Sequence, residues 1–308
     1  MSVPAADPLL RAVIENPNDI GRRLVYADCL QEQGDPRGEF IVAHIQQRPR
    51  AAELLRAHGH AWTAFMRPAV TRGYRFVNGF IERVTFRGKY IAQLPRIAHQ
   101  TPLRGLRMRE MAHFAPELRA VAEVTRRIEV LNLTSAGLTP RTFQQITLAS
   151  WPILTELWAA RNRLDAPTLA GLRQLPRLSS LLLSGTGLDD EALPHLSILP
   201  SLREVDLRGN HFSDHALAAF LGQTPHIRVL GLPVLGPAST EALLRRDEAT
   251  LALVFTEGTE QRSLLDSLCA ALGTRFHPQA TDTGRRMGRH RGVPLPRPQP
   301  TPFDRPWP

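Results

Sequence analysis

Apolar residues recur along this chain in a short alternation, and the alternation returns at a nearly constant interval. Leu131 and Leu133 flank Asn132, with Ile128 three residues ahead of them and Leu138 closing the segment. The same places are then filled by Leu154, Leu157, Ala159 and Leu164, by Leu178, Leu181, Leu183 and Leu188, and by Leu202, Val205, Leu207 and Phe212. The four starts lie 26, 24 and 24 residues apart. Alternation with a period of two is a strand pattern, which a leucine-rich helix does not produce. Weaker copies begin at Ile227 and Leu251 downstream, and at Leu103 and Ile81 upstream. The pattern therefore predicts eight short strands between Ile81 and Thr256.

Each copy follows the template L-x-x-L-x-L-x-x-N-x-L, whose period of roughly 20–29 residues marks a leucine-rich repeat. One such unit cannot bury its apolar face, but stacked units share a continuous core. The first, fourth and sixth template positions point into that core. The asparagine position satisfies backbone groups where the chain leaves the strand. Asn162 and Asn210 can do this; Ala136 and Thr186 cannot do it in the same way, so their turns should be less regular. Acidic residues and a cap precede apolar positions at 189–193 and 213–217, as at helix starts. Pro152, Pro176, Pro200 and Pro225 punctuate the approach to the next strand. The expected fold class is α/β: a leucine-rich-repeat solenoid with parallel strands on its concave face and helices on its convex face.

Residues 7–72 read differently. Leu9, Leu10, Val13 and Ile14 are spaced for a helix, and a second helix runs from about Ile20 to Gln33, where Gly34 closes it. Asp35 caps a third helix with Pro36 at its first position, and further helix covers 51–66. The run Leu9-Leu10-Arg11-Ala12-Val13-Ile14-Glu15-Asn16-Pro17, with Arg23-Leu24-Val25-Tyr26-Ala27-Asp28-Cys29-Leu30 and Gly34-Asp35-Pro36-Arg37-Gly38-Glu39-Phe40-Ile41, resembles the bacterial repeat-companion domain that precedes leucine-rich repeats. Val77-Asn78-Gly79-Phe80-Ile81-Glu82-Arg83-Val84 continues the resemblance, which covers roughly residues 7–235. It implies a small all-α module in front of the repeats and brings no catalytic residues. Cys29 departs from it, since that family usually has tryptophan there; a small buried apolar role is expected for this thiol.

Three domains follow: a helical module over 1–72, the repeats with terminal capping elements over 73–272, and a disordered tail rich in proline and arginine over 273–308. A last helix over 259–272 should cover the open end of the core. In the tail, prolines alternate from Pro294 to Pro302 and few large apolar groups remain.

Composition narrows the function classes. The chain has 308 residues, 38 Lys and Arg against 29 Asp and Glu, a net charge of +9 and two cysteines. A disulfide framework is not expected, and a reducing compartment, the cytoplasm, fits. There is no apolar run of about 18 residues to span a membrane, and no basic start with a long apolar core to act as a secretory signal. Nearly all the positive charge is arginine, and the last 33 residues contribute +4 of the total. An anionic partner such as nucleic acid is one reading of that balance; an arginine-favouring genome with a solvated basic tail is the other.

No chemistry-bearing motif emerges. Glycine-rich phosphate loops, Cys-x-x-Cys pairs and nucleophile elbows are missing, and His58 and His60 read as a helix end. Asp28, Glu32, Asp35 and Glu39 read as caps and surface ion pairs. The expectation is a monomeric, non-catalytic protein without cofactor or metal, which binds a protein partner on the strand face. A nucleic-acid partner is the alternative. The positions facing away from the leucines are Arg83, Arg87, Arg107 and Arg109, then Asn132, Glu156, Trp158, Glu204, Asp206 and Arg208. They make a strip that is basic at its start and more acidic later. Trp158 has two readings, an exposed binding anchor or a side chain packed beside Leu182.

Overall fold

The computed structural model describes residues 7–70, 73–113, 116–246, 251–255 and 276–280. The chain is an α/β protein that divides into two compact units. The first holds residues 1–132 with 149–154, and the second holds most of the remainder.

The first unit opens with helices α1 (Pro8–Glu15), α2 (Ile20–Glu32), α3 (Pro36–Ile45) and α4 (Arg50–Thr63). Asp7, Asp19 and Asp35 each accept a backbone N–H of the first turn that follows them, which satisfies donors the helix itself leaves unpaired. Val13, Tyr26, Ala27, Leu30 and Ile41 bury their side chains together with Phe80. Cys29 is half-buried on α2 rather than in this core, and its sulfur accepts from Gln33 Nε2. The helix turns Cys29 away from the Ala27–Leu30 stripe.

Then come β1 (Tyr74–Val77), β2 (Phe80–Arg87), α5 (Leu94–Ala98), β3 (Gly105–Arg109), α6 (Ala122–Thr125) and β4 (Val130–Asn132). Strand β1 was not expected. It pairs antiparallel with β2 across Asn78-Gly79, a dipeptide whose backbone suits a two-residue hairpin turn. Both residues are left-handed, at φ 48° and 84°. A Cβ on Gly79 would lie 2.7 Å from the Ile41 Cα, so the turn can press against α3 only with glycine there. β2, β3 and β4 pair in parallel, Val84 beside Leu106 beside Leu131.

The second unit contains α7 (Pro140–Thr147), β5 (Glu156–Trp158), α8 (Ala166–Leu169), β6 (Ser180–Leu182), α9 (Leu193–Ser197), β7 (Glu204–Asp206), α10 (Asp214–Gln223), β8 (Val229–Leu232), α11 (Pro237–Leu244), β9 (Leu251–Phe255) and β10 (Phe276–Ala280). Strands β5 to β9 are parallel neighbours. Leu157, Leu181, Val205 and Leu230 align in register and are sealed from water. At roughly 1.5–3 kcal/mol for each aliphatic side chain fully buried, this column is a large share of the unit's stability. β10 pairs with β9 within the segment expected to be a disordered tail. The helix expected over 259–272 and the remaining tail lie outside the described residues.

The turns leaving the strands fall into two kinds. Ser135, Arg161, Gly185 and Gly209 are all left-handed, at φ 54°, 57°, 62° and 66°. Where asparagine follows, its amide bridges two turns. Asn162 donates to Leu133 O and Ala159 O and accepts from Leu138 N. Where Ala136 or Thr186 stands instead, a second left-handed residue appears, Gly137 or Gly187. The missing amide is thus answered by a tighter backbone. Thr186 still donates its hydroxyl to Leu183 O.

Asp214 joins consecutive helices. Its carboxylate accepts from the backbone N–H of Gly236, Ala238 and Ser239 and from the Ser239 hydroxyl. Burial alone would raise its pKa, but these donors together outweigh burial and hold it below the ordinary value of 3.8. A carboxyl depressed in the folded state stabilises above its unfolded pKa and loses that contribution as pH falls through the folded one. Asp214→Ala should therefore cost about 1 kcal/mol at neutral pH, and the gap to wild type should close below pH 3.8. Urea midpoints at pH 7 and pH 3 measure both; an unchanged gap contradicts the assignment.

Candidate functional site

The side chains opposite the leucine core form the candidate site, and alternation along each strand selects them. In the first unit these are Arg83, Thr85 and Arg87 on β2, and Gly105, Arg107 and Arg109 on β3. Register sets Thr85 beside Arg107 beside Asn132, and Arg87 beside Arg109. Arg75 of β1 lies opposite Arg83. Arg109 and Arg75 are exposed, Arg83, Arg87 and Arg107 are partly exposed, and Asn132 is buried. Arg87 meets Glu110 at 3.4 Å. Among the described residues, Arg75, Arg107 and Arg109 pair with no carboxylate, and Arg107 Nε is buried without a hydrogen-bond partner. Desolvation first, and the Arg109 charge second, lower the Arg107 pKa from its ordinary value.

In the second unit, Glu156, Ser180 and Glu204 form one row and Trp158, Leu182 and Asp206 the next. Glu156, Glu204 and Arg208 are partly exposed. Trp158 is only 8% exposed and lies in register with Leu182 at 7%. The packed reading of Trp158 is the one observed. Asp206 is 1% exposed and accepts both Nε and Nη2 of Arg208 at 2.8 Å, a fork-shaped pairing. A Cβ on Gly231 would lie 2.3 Å from Asp206 Oδ1, so the carboxylate lies over β8 in space that only a glycine leaves.

A row of charges escaped the sequence reading. Glu82, Arg104 and Glu129 all occupy the second template position, Glu82 within β2 and the other two one step ahead of β3 and β4. Arg104 donates to both Glu129 oxygens, at 2.9 and 2.6 Å, and reaches Glu82 at 3.4 Å and Asn18 at 2.8 Å. From the other side Arg23 of α2, wholly buried, donates to Glu82 at 2.5 Å and to the carbonyls of Pro17, Val77 and Asn78. Its guanidinium also lies 5.2 Å from the Phe80 ring centre. Burial pushes the Glu82 carboxyl up, and the two arginines pull it back only in part. The signal that could have found this row was its spacing of 22 and 25 residues, the same as the strand starts.

Nothing in the described residues gathers catalytic chemistry. His60 contacts Arg67, and His58 stacks on Trp62. Asp35 serves as a cap and Glu39 pairs with Arg50. No group of three His, Cys, Asp or Glu is placed to hold a metal among the described residues. An open depression of about 610 Å³ is lined by Asp189, Asp190, Glu191 and His211 among others. Asp189 there accepts Glu191 N and Asp190 accepts Ser213 N, so both serve as caps.

Fold and site together define an α/β protein of strand–turn–helix units with a charged strand face in each of its two parts. No family model matches the sequence, and no curated protein does. Among solved structures it is similar to an internalin from Listeria monocytogenes, at 18% identity over 60% of this chain and 68% of that one, with a TM-score of 0.33. No helix among the described residues is long and apolar enough to cross a membrane.

Proposed function

We propose that the chain is a leucine-rich-repeat solenoid that binds a protein partner through its strand face and catalyses no reaction. One observation carries this reading. On β2 to β8 the core positions are sealed, while the opposite positions hold exposed or partly exposed charged groups, Arg83, Arg87, Arg107 and Arg109 on β2 and β3 of the first unit and Glu156 and Glu204 on β5 and β7 of the second. Arg208 follows directly after β7. Asn132 in the first unit, and Trp158 and Asp206 in the second, are buried between these charges. Within each unit, strands that hold their charges in register give orientation and selectivity to a protein contact.

The test reverses charge without touching these buried residues. Purified wild-type protein and the double variant Glu156→Lys with Glu204→Lys would each be immobilised and exposed to lysate. The variant should melt as wild type does and lose, by about tenfold or more, the proteins that wild type retains. Reversing Arg141 on α7 should leave capture unchanged. If the strand-face variant retains the same proteins as wild type, the reading fails.

A further inference from the structure

Arg107 and Arg109 of β3 are the strongest charge feature that no carboxylate answers among the described residues. Five guanidiniums, from Arg75, Arg83, Arg87, Arg107 and Arg109, share one face, and Arg87 meets Glu110 there. Arg107 is the least comfortable of them. It lies half-buried between Thr85 and Asn132, beside the positive charge of Arg109, with a buried Nε that donates to nothing among the described residues. A desolvated cation with no acid beside it costs stability, and an incoming anion would remove that cost.

We propose that this face seats an extended acidic polypeptide segment of the partner, with carboxylates on alternate residues bound by Arg107 and Arg109. The proposal rests on reading the strand face as a binding surface and adds the chemistry of the occupant. Arg107 and Arg109 are two residues apart on one strand, about 6.6–6.8 Å. Alternate side chains of an extended peptide have the same spacing, so one peptide edge can address both. Guanidinium forks match carboxylates in a bidentate way. Gly105 and Val130 continue the row of Arg83 with smaller side chains, which gives a peptide backbone room to lie beside Arg107.

Nucleic acid fits the face less well. No aromatic side chain stands among these outward positions, so bases have no stacking platform. The patch spans three strands, two strand spacings or near 10 Å, and offers fewer cations than the roughly six to ten phosphate contacts of a duplex binder.

The probe is a fluorescently labelled ten-residue peptide of alternating glutamate and serine, titrated against the full chain by anisotropy across a salt series. Arg107→Gln should weaken binding about tenfold and Arg109→Gln about fivefold, with Arg141→Gln unchanged and all three variants melting as wild type. Binding should fall as salt rises. A twenty-nucleotide oligothymidylate serves as competitor. Equal peptide binding by wild type and both face variants overturns the proposal. So does oligothymidylate that binds through the same arginines while the peptide does not. If the peptide fails while Glu156→Lys with Glu204→Lys still abolishes capture, the acidic occupant is wrong and the binding reading stands.

Discussion

Arg23→Ala is expected to destabilise the protein by about 3–5 kcal/mol, the usual cost of stripping one partner from a buried ion pair. The physical loss is larger than one contact. Glu82 would keep a charge at 4% exposure with only Arg104 at 3.4 Å to answer it. The carbonyls of Pro17, Val77 and Asn78 would lose a donor at the same time. The variant should also respond to acid in a particular direction. Without Arg23 the Glu82 carboxyl rises further above its unfolded value, so protonation relieves the strain. The deficit against wild type should therefore be greatest at pH 8 and shrink towards pH 5. Replacing both partners, Arg23→Met with Glu82→Leu, should recover much of the loss, because a matched apolar pair leaves no buried charge. Urea unfolding of wild type and the two variants at the two pH values reads all of this. A deficit below 1 kcal/mol, or one that grows in acid, would falsify the account.

Asn210→Ala should cost about 3–4 kcal/mol, summed over buried backbone groups left without partners. The amide nitrogen donates to Leu183 O and Leu207 O, and its oxygen accepts from Thr186 N and Leu188 N. All of these bonds are buried. Asn210→Asp keeps the acceptor and loses the two donors, so it should fall between wild type and alanine. Thr186→Ala removes one hydroxyl, which reaches Leu183 O at 2.7 Å and Asn210 Oδ1 at 3.1 Å, and should cost about 1 kcal/mol. Thermal melts of the series should therefore fall in the order wild type, Thr186→Ala, Asn210→Asp, Asn210→Ala. If Asn210→Ala melts no lower than Thr186→Ala, the amide is not what ties the neighbouring turns.

Much of the fold was legible because a repeat writes the same constraint several times. A strand unit that must bury the first, fourth and sixth positions leaves leucine in each copy, and the period then locates every strand from β2 to β9. The amide ladder at Asn162 and Asn210 was legible for the same reason, as was the departure at Ala136 and Thr186. β1 was missed because four residues carry too little alternation. Its signal was the Asn78-Gly79 turn rather than the strand. Trp158 could not be placed from sequence, because an outward position on a strand is open or covered according to its neighbours in register. Cys29 was misplaced by one helical step of about 100°, which separates a core stripe from its flank.

The charged face divides along the same line. Alternation named Arg83, Arg87, Arg107, Arg109, Glu156, Trp158, Glu204, Asp206 and Arg208 as sharing one side of their strands. It could not tell that Asp206 is spent on Arg208 over Gly231, or that Arg107 stands without an acid. The sequence by itself determined the periodic part of this protein: which positions are core, where strands begin, which turns carry an amide. Those follow from local geometry, a period of two within strands and about 24 between them. Tertiary structure alone decided which charges are paired and buried. The row Glu82–Arg104–Glu129, closed by Arg23 from a helix about sixty residues away in the chain, exists only because register sets three distant second positions side by side.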